Sequence, residues 1–157
     1  MLQPIKAHRV VSAKVIADKI HITGFRILHA EMNSPFDFDT NAIKLFDNTT
    51  KFDLAFNLEE NLIKSDFFIE IKTESKENTN LEEATAKFHF AYIFNVENFK
   101  ELTVVVDDTN LDINGGLANS LASIVYSTTR GILMTRFQGT ALADFILPVR
   151  DPNELIN

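Results

Sequence analysis

Between Ala84 and Val96 every second residue is apolar: Ala84, Ala86, Phe88, Phe90, Tyr92, Phe94 and Val96. The alternate positions include Thr85, Lys87, His89 and Asn95. A strand that long and apolar on one face only belongs to an antiparallel sheet with one side packed and one side wet. It also excludes a doubly wound parallel sheet, whose strands are apolar on both faces.

Weaker versions of the pattern precede it. Phe52, Leu54, Phe56 and Leu58 alternate with Asp53, Ala55 and Asn57, and Phe67, Ile69 and Ile71 alternate with Glu70 and Lys72. Phe25 to Met32 reads as a first strand, closed by Asn33-Ser-Pro35 because proline donates nothing to a ladder. Ser75 to Glu82 is polar enough to be a turn between strands. Leu102 to Val106 reads as a short strand and Asp107 to Asn110 as a loop. After Asn114-Gly-Gly116 comes a long helical pattern carried by Leu117, Leu121, Ile124, Val125, Ile132 and Phe137, with Gly139 as its stop. Ala141 to Pro148 is apolar and predicted to be extended, and Asp151-Pro152 can cap a last short turn. At the front, Pro4 and rough rows of Ile5, Arg9, Ile16 and Val11, Val15 predict an amphipathic helix over 4–18. Strands followed by a helix, without βαβ alternation, define an α+β class. The expected layout is a single domain over 1–157: an N-terminal helix within 1–20, an antiparallel sheet over 25–96, a long helix over 115–138 and an extended segment over 139–157.

Composition narrows the chemistry. With no cysteine, disulfides, thiolate zinc sites and thiol catalysis are excluded. The net charge of −7 and the lack of a Lys/Arg cluster argue against nucleic acid. Lys6, Arg9, Lys14, Asp18 and Lys19 interrupt any signal-peptide core, and no apolar run reaches the ~20 residues of a membrane span. A soluble cytoplasmic protein without membrane insertion is the expectation. His8, His21, His29 and His89 have no metal-binding spacing. The run Asp108 to Asn119 fails as a calcium loop, having Ile113 where Gly is needed and Asn119 where Glu is needed. Asp37/Asp39, Glu59-Glu60, Glu82-Glu83 and Asp107-Asp108 have no converging partner, Gly115-Gly116 is not a phosphate loop, and Ser123 and Ser127 have no base at readable spacing. The expectation is a non-enzyme with no cofactor and no metal.

Ser123 to Phe137, with Tyr126, Arg130 and Arg136, followed by Leu142 to Pro148, resembles the C-terminal half of the SecB chaperone family. Ala84 to Val96 resembles that family's long fourth strand, and Lys51 to Leu58 and Asp66 to Thr73 its second and third. The resemblance spans about residues 25–150. It implies a four-stranded antiparallel sheet with helices on one face, dimers or tetramers built through long helices and sheet faces, and ATP-independent binding of unfolded preproteins in hydrophobic grooves, with delivery to the SecA motor. Three departures weigh against SecA as a partner. The acidic fourth-strand position that helps dock SecA is Lys87 here, the glycine pair after it is Ala91 and Tyr92, and the family's final helix is missing or reduced to a turn. The extra N-terminal helix resembles solitary or antitoxin-associated members.

On this reading the client groove draws on Phe52, Phe56, Phe68, Tyr92, Phe94, Leu142, Phe145 and Ile146, and the homo-oligomer interface on Tyr126, Arg130 and Met134. Phe68 stands out because it falls on the strand face opposite Phe67, Ile69 and Ile71. Groove aromatics bind exposed apolar segments with little sequence preference, and an acidic rim favours basic clients. The alternatives are a module dedicated to one partner, such as a toxin or secretion component, and a carrier of a hydrophobic small ligand between sheet and helix.

Overall fold

A computed structural model of the chain describes residues 3–4, 6–7 and 13–156, the first four as backbone alone. The strands are β1 (Gln3–Pro4), β2 (Lys6–Ala7), β3 (Ile20–Asn33), β4 (Ile43–Asn57), β5 (Leu62–Ser75), β6 (Thr85–Val96), β7 (Thr103–Val105) and β8 (Leu111–Ile113), and one helix, α1, spans Gly115–Arg136. The four long strands form an antiparallel sheet in the order β4-β5-β6-β3, and β1 adds two residues to the outer edge of β4. A second, three-stranded sheet pairs β2 with β8 and β8 with β7.

The helix expected over 4–18 is absent where that stretch is described. Pro4 and Lys6–Ala7 are ladder-bonded, residues 13–16 carry no helix, and a 3-10 turn covers Ala17–Lys19. Residues 5 and 8–12 lie outside the described residues. The edges of β4 and β8 give the extended backbone hydrogen-bond partners that propensity alone does not foresee.

The long strands bury one face and wet the other. In β5, buried Ile63, Phe67, Ile69 and Ile71 alternate with more accessible Lys64, Asp66, Phe68, Glu70 and Lys72. Registers are unbroken from Leu45 to Asn57 in β4 and along β6 against β5. β3 differs. Its pairing to β6 skips a residue between Ile22 and Gly24 and another between Ile27 and His29, as β-bulges do.

Asn114 starts α1 as its cap: Oδ1 accepts from the Gly116 and Leu117 N–H groups at 2.8 and 3.2 Å. Gly139, at φ +76°, turns the chain out after the helix, a conformation that side chains with a Cβ resist. Residues 141–144 form turns rather than the predicted extended chain, and 145–150 carry no helix or strand. Asp151 caps a final 3-10 turn at Pro152–Glu154.

Glu83 closes the β5–β6 connection. Its carboxylate accepts from Thr73 Oγ1, from the Ser75 N–H at 2.9 Å and from Ser75 Oγ at 3.0 Å. Burial alone pushes its pKa up, but those hydrogen bonds and nearby Lys72 outweigh it and hold the group below the usual glutamate value. A carboxyl depressed on folding contributes stability above its unfolded pKa and loses it as pH falls through the folded one. The expected result is that Glu83→Gln is less stable than the parent at pH 7. The gap should narrow as pH falls below about 4.3, as urea midpoints at several pH values would show.

Candidate functional site

The helix side of the sheet is covered over its centre and open at both flanks. α1 lies over β5 and β6: the Phe67 and Tyr126 rings meet edge-on at 5.8 Å, Tyr92 Oη and Thr129 Oγ1 share a buried hydrogen bond of 2.8 Å, and Phe88 meets Phe137 at 5.9 Å. Burial raises the Tyr92 phenol above its ordinary pKa, keeping it neutral as the partner of Thr129.

On the β4 flank the segment after α1 is strapped down. Phe145 packs edge-on against Phe46 at 5.6 Å, Arg130 Nε donates to the Leu147 carbonyl at 2.7 Å, and Tyr126 Oη donates to the Pro148 carbonyl at 2.6 Å. Arg150 Nη1 reaches Thr50 Oγ1 at 3.1 Å. The strap therefore runs alongside β4 in the same direction, from Phe46 to Thr50. Between those anchors Ile146 and Val149 stay in water, 57% and 88% exposed. At and beyond the Arg150 anchor a cleft of about 200 Å³ is lined by Thr50, Lys51, Phe52, Arg150, Glu154 and Leu155. Among the described residues, no strand pairs with the outer edge of β4 before Ala55.

The other flank is the row of β3 residues whose register partners lie on the helix side of β6: Ile22 with Phe94, Phe25 with Tyr92, Ile27 with Phe90, Ala30 with Phe88 and Met32 with Ala86. Phe25 reaches the Tyr92 ring at 5.1 Å, yet Ile22 and Met32 remain 53% and 41% exposed. At about 100° per residue, Thr128 and Ile132 lie on the flank of α1 away from Arg130. The result is an apolar trough along β3 roughly 26 Å long, since it faces the eight steps from Phe94 to Ala86 of β6 at about 3.3 Å per residue.

The residues expected in a client groove are thus divided. Phe56, Tyr92, Phe94, Leu142 and Phe145 are buried core residues, although Phe56 also lines a cleft of about 380 Å³ between the β4–β5 turn and the β7–β8 hairpin. They sit on the inward period-two face or under the strap, where burial of a large side chain is most favourable. Phe52 lines the cleft on the β4 flank, and Ile146 is exposed on the strap. Phe68 is half-buried on the opposite face, stacked on His89 at 4.0 Å with Lys51 Nζ 5.6 Å from its ring. Of the expected interface residues, Tyr126 and Arg130 hold the strap of their own chain, and Met134 is exposed. The β3 row was missed because its apolar residues are spaced 2, 3, 2, 3, 2 from Ile20 to Met32, and each 3 is a bulge. That spacing is the signal that marks it.

The outer face of the sheet is polar. Asp66 accepts from His89 Nε2 at 2.7 Å and pairs with Lys64 at 3.3 Å, and Lys87 pairs with Glu70 at 3.7 Å. No group of three or more His, Asp or Glu side chains suited to a metal is found among the described residues. In the β7–β8 hairpin Asp107 accepts from Thr109 and Asn110, bonds that lower its pKa to about 2 and explain why this stretch is a turn, as the failed calcium pattern implied. No helix among the described residues is long and apolar enough to cross a membrane.

No protein-family model matches the sequence, and no characterised protein matches it by sequence. Among solved structures, the chain is similar to the Mycobacterium tuberculosis Rv1957 SecB-like chaperone, solved in complex with a ChAD peptide from the Rv1956 HigA1 antitoxin. The TM-score is 0.58 at 15% identity, covering 85% of this chain and 92% of the other. Together with the four-stranded antiparallel sheet and the long helix packed on it, this likeness establishes an α+β, SecB-like fold.

Proposed function

We propose that this chain is an ATP-independent holdase that binds non-native polypeptide segments along the β4 flank. The observation that carries the reading is the pair Ile146 and Val149, held in water by a strap pinned on both sides, beside a strand edge that no strand among the described residues pairs with before Ala55. Unfolded chains expose the two things such a flank complements, apolar side chains and unpaired amides. Micromolar affinity, roughly −8 kcal/mol, is expected for contacts that make few demands on sequence. The β3 trough is the proposed seat of a second copy in a homo-oligomer, since an apolar strip of that length is costly to leave in water. The role is non-catalytic and cytoplasmic. Keeping preproteins competent for export fits this reading, although Lys87, paired with Glu70, reverses the charge expected where SecA docks.

A dedicated partner is the second reading, favoured by the antitoxin peptide bound to the structural neighbour. The test is suppression of aggregation of a chemically unfolded, unrelated protein, without nucleotide. Suppression is expected at near-stoichiometric ratios, and Ile146→Asp/Val149→Asp should weaken it about tenfold while leaving the circular dichroism intact. Absence of suppression by the parent protein would sink the general holdase and leave the dedicated module.

A further inference from the structure

The strap lies on the β4 flank in the manner of a bound peptide. Its side chains alternate as a strand's do, Phe145 and Leu147 buried and Ile146 and Pro148 exposed, yet no strand among the described residues pairs with it. Phe145 fills a seat between Phe46 and Phe137, with ring centroids at 5.6 and 6.2 Å. The polar grip beside that seat reads main chain alone. Arg130 Nε and Nη2 donate to the Leu147 and Pro148 carbonyls at 2.7 and 3.3 Å, and Tyr126 Oη donates to the Pro148 carbonyl at 2.6 Å. Every residue of any polypeptide carries such a carbonyl, so nothing in these bonds requires this sequence. The Arg130 guanidinium lies over the Tyr126 ring at 5.2 Å, which holds the two donors side by side. The bonds from Arg130 Nη2 and from Arg150 to Thr50 are exposed, and exposed bonds of this kind open locally before a core does.

We infer that Tyr126 and Arg130 form a receptor for the backbone carbonyls of a client segment, and that the strap is an autoinhibitory stand-in that occupies it. When the strap lifts, the two donors and the seat beside Phe46 are vacated together. The client then supplies carbonyls to the donors and an apolar side chain to the seat. Donors left without partners are costly, so the open state stays sparse until a client replaces what the strap withdraws. The docked strap weakens the apparent affinity in proportion to the fraction of chains it closes. The inference rests on the holdase reading and gives that flank its regulation: Ile146 and Val149 meet the client first, and departure of the strap admits it to the tighter seat.

The chain has no cysteine, so Thr50→Cys/Arg150→Cys places a single pair of thiols at the outer pin of the strap, where a short bis-maleimide joins them. The probe is an end-blocked, fluorescein-labelled peptide of alternating leucine and serine, and its binding to the full chain is read by anisotropy. Before linking, the variant has lost the pin and should bind the peptide about tenfold more tightly than the parent. Linking should reverse that gain, leaving the affinity at or below the parent's. Arg150→Ala alone repeats the first comparison should the double variant not fold. Adding Tyr126→Phe to the opened variant should weaken binding about threefold, because a receptor donor is gone; were Tyr126 an anchor of the strap and nothing more, the same change would strengthen it. An opened variant no tighter than the parent, an affinity that ignores linking, or a gain on Tyr126→Phe overturns the inference while aggregation suppression by the parent stands. If parent and opened variant alike neither bind the peptide nor suppress aggregation, the holdase reading itself falls, and the receptor with it.

Discussion

Phe67→Ala is expected to lower stability by about 3–5 kcal/mol, the range for removing a large buried aromatic side chain. Phe67 is fully buried in β5, and its ring meets Tyr126 of α1 edge-on. It lies in the register between Phe52 of β4 and Phe90 of β6, so its loss opens a void under the helix where three strands meet. Neighbouring side chains are themselves anchored, Tyr92 by Thr129 and Tyr126 by Pro148, and cannot collapse far. A domain of ordinary stability has about 5–15 kcal/mol to lose, so a drop in melting temperature of roughly 10 °C is expected at this chain length. Thermal unfolding followed by circular dichroism checks it. A change below about 1 kcal/mol would mean that the helix does not seal the sheet at this point.

The second large effect is local. Arg130→Ala removes the hydrogen bonds to the Leu147 and Pro148 carbonyls, at 2.7 and 3.3 Å, and the guanidinium over the Tyr126 ring at 5.2 Å. Bonds from a charged donor contribute about 1.5–3 kcal/mol. Because they join α1 to the strap rather than strand to strand, the loss should fall on the strap. The Phe145 amide, bonded to the Leu142 carbonyl at 2.9 Å, should exchange about ten- to a hundredfold faster, at about 1.4 kcal/mol per tenfold change, while those of β5 and β6 change little. Uniform acceleration across the chain would show that strap and sheet open together. The same variant separates two roles for Arg130: if its place were a subunit interface, the oligomer would dissociate and strap exchange would stay as it was.

The legible part of this fold was the part with a clean period. β5 and β6 alternate without interruption, so their inward faces could be read as core, and Asn114-Gly-Gly116 and Gly139 bracketed the helix to within a few residues. The same clarity misled about the groove. Tyr92 and Phe94 are aromatic and regularly spaced, and in this fold that makes them buried core rather than an accessible lining. Exposure of Ile146 and Val149 depends on where Arg130 and Tyr126 catch the strap, a contact across 17 and 22 residues that periodicity cannot carry. The front of the chain misled for a different reason. Its spacing suits a helix, but the free edges of β4 and β8 offered extended backbone a partner.

The two skipped residues in β3 also change what the sequence can lose. Thr23 and Leu28 are the residues without an opposite number on β6. Removing Thr23 would restore strict alternation from Ile20 to Ile27 and leave the apolar row on its original face. Removing one residue from the middle of β5, where the register has no slack, would turn half the strand inside out. Deletion of Thr23 or Leu28 should therefore be tolerated, whereas a single-residue deletion in the middle of β5 or β6 should be lethal to the fold.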